Sequence, residues 1–273
     1  MRTLASMIFV CLCATGMDTA SIFHDPALEE NVRKYLYGAD PAKLLTEEQL
    51  KHVTLVSASH TPINDLTGLE KCTYLNTVYL FGSSVSDLGP LSKLTNLEQL
   101  TVAAGNVRDL TPLAGLTHLR YLDLSLNHIS DLSPLANLKN LQTLNLSGNT
   151  ITELAPLKDL TALQSLYLDG NQINNLKPLA GLKELQVLSI KQNRVTDLTP
   201  LTGMTAWHAL YLDQNQVSDL APLVAMVQPE RVPIKGLTPF WIVSLRGNPL
   251  SDLARSRDLP ELQKRTFDLI ADR

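Results

Sequence analysis

The side chains along this chain with the most chemical potential are three aspartates, a lone core cysteine and a set of tyrosines. Asp123, Asp169 and Asp213 fall at exposed, outward positions of residues that read as strands, and carboxylates are the ligands that calcium prefers. They recur in alternate repeats of the pattern described below, so their strands lie ~10 Å apart and cannot share one ion. Cys72 stands in a column otherwise filled by Leu94, Leu116 and Leu138, and reads as a small core hydrophobe rather than a reactive thiol. The six histidines are scattered, none pairs with a cysteine at zinc spacing, and His128 and His208 fall at exposed positions. No phosphate-binding glycine loop, His-Glu-x-x-His pair or Gly-x-Ser-x-Gly elbow occurs. Neither a catalytic centre nor a cofactor or metal site is expected.

The chemistry that remains is recognition. Tyr79, Tyr167 and Tyr211 share one outward strand position, Tyr121 lies two places earlier in its own strand, and Phe81 lies beside Tyr79. Lys191 and Arg246 add positive charge to the same face, opposite in sign to the three aspartates. Strand side chains alternate, so all of these project from one surface of a sheet. Tyrosine offers large contact area with a polar tip and is favoured as an interface anchor. The expected partner-binding surface is therefore Tyr79, Phe81, Tyr121, Asp123, Tyr167, Asp169, Lys191, Tyr211, Asp213 and Arg246.

A repeat of 22 residues positions them. Its first apolar column is Val53, Leu75, Leu97, Leu119, Leu141, Leu163, Leu185 and Trp207. Three residues on stand Val56, Val78, Leu100, Leu122, Leu144, Leu166, Leu188 and Leu210, and two further on a third apolar column. Runs such as Leu119-x-x-Leu122-x-Leu124-x-x-Asn127-x-Ile129 carry the leucine-rich-repeat signature. Alternation at the fourth and sixth positions predicts one strand per repeat with one buried face. Parallel stacking of such strands gives an α/β solenoid, a right-handed superhelix with a concave parallel sheet of about nine strands. Asn127, Asn149, Asn171, Asn193, Asn215 and Asn248 stand where the chain leaves each strand, placed to satisfy backbone groups that would otherwise be buried without partners. Five repeats then end on Asp-Leu-x-Pro-Leu, as at Asp109 to Leu113, where proline suits a 3₁₀ turn and the remaining residues are too few for a long helix.

Solenoids need caps on their apolar ends. Asp25-Pro26 opens a helix with Leu28, Val32 and Leu36 on one stripe, and Thr46 to Gln49 has the capping-box pattern. Residues 17–52 are thus the expected N-terminal cap and 53–226 eight repeats. A proline-rich insertion at 227–239 delays the ninth strand, and 240–273 hold the last repeat and a helical cap with Leu262, Thr266 and Leu269 or Ile270 inward.

Composition narrows the setting. Hydrophobic residues make up 44% and aromatics only 5%, so the core is mainly leucine. The net charge of −4 is dispersed without Lys/Arg runs, which gives no reason to expect nucleic acid or an anionic membrane as partner. Arg2, the apolar run Leu4 to Cys13 and Ala14-Thr15-Gly16 have the pattern of a secretory signal over 1–16, cleaved after Gly16 or, as second choice, Ala20. Its removal leaves Cys72 alone, so an exported chain would rely on packing without disulfides.

The 22-residue period, the Asp-Leu-x-Pro-Leu tail and the Asp25-Pro26 cap resemble the bacterial internalin family, and less closely the repeats of eukaryotic phosphatase-binding leucine-rich proteins. The resemblance spans about residues 22 to 253. It implies a secreted or surface-displayed protein that binds a partner on its concave sheet. The chain carries no Leu-Pro-x-Thr-Gly sorting motif and no immunoglobulin-like segment after the repeats, so wall attachment is not implied. The sequence thus leads to an exported, monomeric, non-enzymatic module that binds another protein. The alternatives are an intracellular scaffold regulating an enzyme such as a phosphatase, and a saccharide- or wall-binding module.

Overall fold

In a computed structural model, residues 21–36, 40, 42–227, 242–264, 266 and 268–272 are described. The expected signal segment 1–16 and all but the first residue of the expected insertion at 227–239 lie outside the described residues.

Two short helices open the described part of the chain. Asp25 Oδ1 accepts the Ala27 and Leu28 N–H groups at the start of α1 (Pro26–Arg33), and its Oδ2 accepts the Asn64 N–H at 2.7 Å, which ties the helix to the first repeat. Thr46 and Gln49 form a reciprocal capping box on α2 (Glu47–Leu50). Leu28, Val32 and Leu50 are fully buried and cover the first coil.

Among the described residues ten strands follow in a single parallel sheet whose spatial order is the chain order: β1 (Leu55–Ser59), β2 (Thr77–Phe81), β3 (Gln99–Ala103), β4 (Tyr121–Asp123), β5 (Thr143–Asn145), β6 (Ser165–Tyr167), β7 (Val187–Ser189), β8 (Ala209–Tyr211), β9 (Ile242–Ser244) and β10 (Asp268–Ile270). Through β8 each residue pairs with the one 22 places on, for example Leu122 with Leu144 and Leu144 with Leu166. The apolar columns therefore stack: Leu119, Leu141, Leu163 and Leu185 are fully buried, as are Leu122, Leu144, Leu166 and Leu188. At ~1.5–3 kcal/mol for each buried leucine, these columns are the main source of stability.

The convex side is thin. Short 3₁₀ turns such as Thr111–Leu113, Ala155–Leu157 and Thr199–Leu201 carry proline in their first turn. Each Asp of the Asp-Leu-x-Pro-Leu tail accepts the N–H two residues ahead, as Asp109 does from Thr111 at 2.8 Å and Asp131 from Ser133 at 2.8 Å.

The C-terminal end differs from the expected helical cap. A π turn, Ala254–Asp258, leads into the short helix α4 (Leu259–Gln263), and the chain then returns to the sheet as β10. Thr266 still bonds the Leu262 carbonyl as a last helical step, but Leu269 pairs with Val243 and so occupies the strand column. The physical reason is the free edge of β9, whose unpaired N–H and C=O groups gain partners from a strand and none from a helix.

Candidate functional site

The concave face is held by two devices at the end of each strand. The first is an asparagine ladder. Asn149 Oδ1 accepts the N–H of Ile129 in the preceding repeat at 2.9 Å, while its Nδ2 donates to Leu124 and Leu146 carbonyls. Asn127, Asn171, Asn193, Asn215 and Asn248 repeat this arrangement, and all six are buried. Thr61, Ser83 and Gly105 hold the same column in the first three repeats, and there the Ser83 hydroxyl is buried without a partner.

The second device is a left-handed residue immediately before that column. His60, Gly82, Ala104, Leu126, Gly148, Gly170, Gln192, Gln214 and Gly247 all have φ between 54° and 70°. Sequence reasoning missed this column. Its signal was the recurrence of glycine at 82, 148, 170 and 247 in one register.

On the face itself, one row crosses the sheet at the middle of the strands. Pairing runs Tyr79 to Thr101, Thr101 to Asp123, Asp123 to Asn145 and Asn145 to Tyr167, then through Ser189 to Tyr211 and Ser244. Every aromatic ring of this row is separated from its neighbours by small side chains or by Asp123. Tyr121 lies outside the row, two residues earlier on β4, with shallow depressions of about 220 Å³ and 270 Å³ on either side. Tyr79 and Tyr121 are 40% and 38% exposed, and Tyr167 and Tyr211 are more buried. Burial, then the Asp123 charge, then the neighbouring Tyr79 and Tyr167 phenols push the Tyr121 hydroxyl above its ordinary pKa, against an opposing hydrogen bond with Thr101. These four groups thus form one electrostatic neighbourhood. Phe81 packs edge-on against His60, with ring centroids 5.3 Å apart.

The aspartates are not the free, exposed carboxylates that the sequence led one to expect. Asp169 is half-buried and accepts from the Ser189 hydroxyl and the Lys191 N–H, both at 2.7 Å. Asp213 does the same two repeats on, from Ser244 Oγ at 2.5 Å and the Arg246 N–H at 2.9 Å. Each carboxylate therefore ties its own repeat to the next. The Lys191 ammonium lies 4.0 Å from Asp169 Oδ2 and 4.7 Å from the Tyr211 ring centroid, a cation–π contact. Asp123 accepts from the Ser125 N–H at 2.9 Å and from Asn145 Nδ2 at 3.1 Å. Arg246 is exposed at the edge of the face. Among the described residues no three His, Cys, Asp or Glu side chains gather as a metal site, and no helix is long and apolar enough to cross a membrane. Cys72 is buried, and burial pushes its thiol up to about 12.

The family model for a leucine-rich repeat region matches residues 74–228, more than half of the chain. Among solved structures, an internalin C2 of Listeria monocytogenes is 30% identical with a TM-score of 0.66, over 95% of this chain and all of that one. This chain belongs to the internalin-type leucine-rich-repeat proteins. The internalin InlF of Listeria monocytogenes is 29% identical with a TM-score of 0.71, covering 92% of this internalin-type chain and 77% of its own. A leucine-rich-repeat protein of Leptospira interrogans, 22% identical with a TM-score of 0.64, shares the fold over 83% of this chain and 62% of its own. No curated relative matches the internalin-type chain by sequence.

Proposed function

We propose that this chain is an exported, non-enzymatic recognition module that binds another protein on its concave sheet. The observation that carries the reading is the row of Tyr79, Tyr167 and Tyr211 with Tyr121 beside it, spread across repeats two to eight. These rings span six strand spacings, about 29 Å. That length suits a standard interface of ~800 Å² per partner. Export is supported by the charged and apolar pattern of residues 1–16 and by the family to which the repeats belong.

Affinity capture tests the reading. The immobilised chain is exposed to extracellular and surface protein fractions beside a Tyr167→Ala/Tyr211→Ala variant that remains folded at the capture temperature. A partner retained by the first and lost from the second supports it. Equal capture by both chains moves the binding site off the concave face. Fractionation of the producing cells tests export, and accumulation of the intact chain inside them overturns that part.

A further inference from the structure

We infer that the basin around Asp123 is a seat for a basic side chain, lysine or arginine, presented by the bound protein. The inference rests on the concave face being the binding surface and names the chemistry recognised there.

Its geometry is symmetric. Asp123 stands in the middle of the row, Thr101 and Asn145 flank it, and Tyr79 and Tyr167 stand beyond them. Each ring is therefore two strands away, about 10 Å. Tyr121 closes a third side from the same strand, and the fourth side carries only the small residues Ala103, Ser125 and Ser147. The Tyr79 and Tyr167 rings thus stand about 19 Å apart, which leaves an extended side chain free access to the carboxylate between them. The floor of the basin is an anion, and tyrosine side chains border it on three sides.

The same face already contains the answering arrangement. Two repeats and more along the solenoid, Asp169 and Tyr211 hold an ammonium group between them, and it belongs to Lys191. Around Asp123 the carboxylate and the rings are present without a cation. Among the described residues no Lys, Arg or His nitrogen lies within ion-pair reach of it, and its bonds go to neutral donors, the Ser125 N–H and the Asn145 amide. Position 145, which corresponds in pairing to a neighbour of Asp123, is occupied by a neutral amide. The complementary charge is thus left for a partner to supply, and charge complementarity of this kind fixes register at an interface.

The full chain, isotope-labelled, is titrated with N-acetyl-lysine methylamide and separately with the neutral N-acetyl-norleucine methylamide, reading the NMR signals of Asp123, Tyr79, Tyr121 and Tyr167. The lysine probe is expected to shift them saturably with a Kd of ~1–10 mM, a weak affinity for so small a contact, and norleucine at least tenfold more weakly. Asp123→Asn and Asn145→Lys should each weaken the lysine response at least tenfold, the first by removing the charge and the second by filling the seat. Asn145→Lys keeps the carboxylate, so loss in a folded variant cannot be ascribed to a damaged strand. Equal responses to both probes, or a lysine response unchanged in the two variants, overturn the inference. A partner captured on the concave face but indifferent to both substitutions also overturns it while leaving the protein-binding reading intact.

Discussion

Asn171 reaches back one repeat to Ile151: its Oδ1 accepts the isoleucine N–H at 3.0 Å, and its Nδ2 donates to the Leu146 and Leu168 carbonyls, each at 3.0 Å. One side chain thus satisfies three buried backbone groups in two coils.

Asn171→Ala is therefore expected to cost ~1–3 kcal/mol, because those groups keep their burial and lose their partner. Asp169→Asn should cost less, about 1 kcal/mol, since the Ser189 hydroxyl and the Lys191 N–H both donate to Oδ1, which an amide oxygen can replace with a weaker, uncharged acceptor. Denaturant titration of both variants measures the difference. A larger loss at Asp169 would reverse the ranking of ladder over clasp.

The left-handed column gives a comparison between two glycines. Gly170 has φ +65°, and a Cβ there would meet nothing closer than 3.7 Å, so Gly170→Ala should cost only the backbone term, ~1 kcal/mol. Gly148 has φ +69°, and its Cβ would also come within 2.6 Å of Leu126 Cδ2. Gly148→Ala should therefore lose more, and Leu126→Gly in the same chain should recover the excess. If the two alanine variants melt together, Leu126 yields freely and the steric part of the argument fails.

Much of this scaffold was legible in the sequence because each column serves one physical need. Leu122, Leu144 and Leu166 recur at a fixed spacing since a parallel stack in register permits no other. β10 was not legible. Leu262, Thr266 and Leu269 have helical spacing, and only the open edge of β9 makes a strand the better use of Leu269. The roles of Asp169 and Asp213 were hidden because their donors, Ser189 and Ser244, come from the next coil. The row centred on Asp123 could have been found: Tyr79, Asp123, Tyr167 and Tyr211 are each separated by two repeat lengths.

Acid should loosen the convex side. Hydrogen bonds to Thr67, Thr111, Ser133 and Thr199 hold Asp65, Asp109, Asp131 and Asp197 below their ordinary value of 3.8. A depressed folded pKa gives stability that is present above the unfolded value and lost as pH falls through the folded one. The melting temperature should thus decline progressively as pH drops below 3.8. Asp109→Asn/Asp131→Asn, which cannot titrate, should show a shallower decline. An unchanged slope would place the acid sensitivity elsewhere.

Cys72 should be chemically silent while the chain is folded. With its thiol pushed up to about 12 by burial, almost no thiolate exists at pH 8, and the sulfur is also shielded from solvent. A disulfide-exchange reagent such as Ellman's should react within minutes in strong denaturant and only at the rate of opening in buffer. The raised value also makes the folded state lose stability as pH climbs from 9.0 towards 12. Rapid labelling of the native chain would mean that the first coils open far more readily than their packing suggests.

The last expectation separates Tyr167 from Tyr211 once a partner is captured. Both are half-buried on the proposed binding face, and if they anchor the partner each alanine substitution should weaken binding by more than ~1 kcal/mol in surface plasmon resonance. Their effects on the free protein should differ. Tyr167 is flanked by Asn145 and Ser189 and among the described residues no cation lies over its ring, so Tyr167→Ala should leave the melting temperature nearly unchanged. Tyr211 carries the Lys191 ammonium 4.7 Å from its ring centroid. Tyr211→Ala should therefore cost an additional ~0.5–1 kcal/mol of stability, the worth of an exposed cation–π contact. It should also release Lys191 towards Asp169, its remaining partner at 4.0 Å. Lys191→Met removes the charge from both contacts, so in that background Tyr211→Ala should lose its extra cost. A double-mutant cycle on melting free energies isolates this coupling, because each single change removes one side of the contact. A coupling near zero would show that the lysine is held by solvent and by Asp169 alone, and Tyr211 would then be as free to meet a partner as Tyr167.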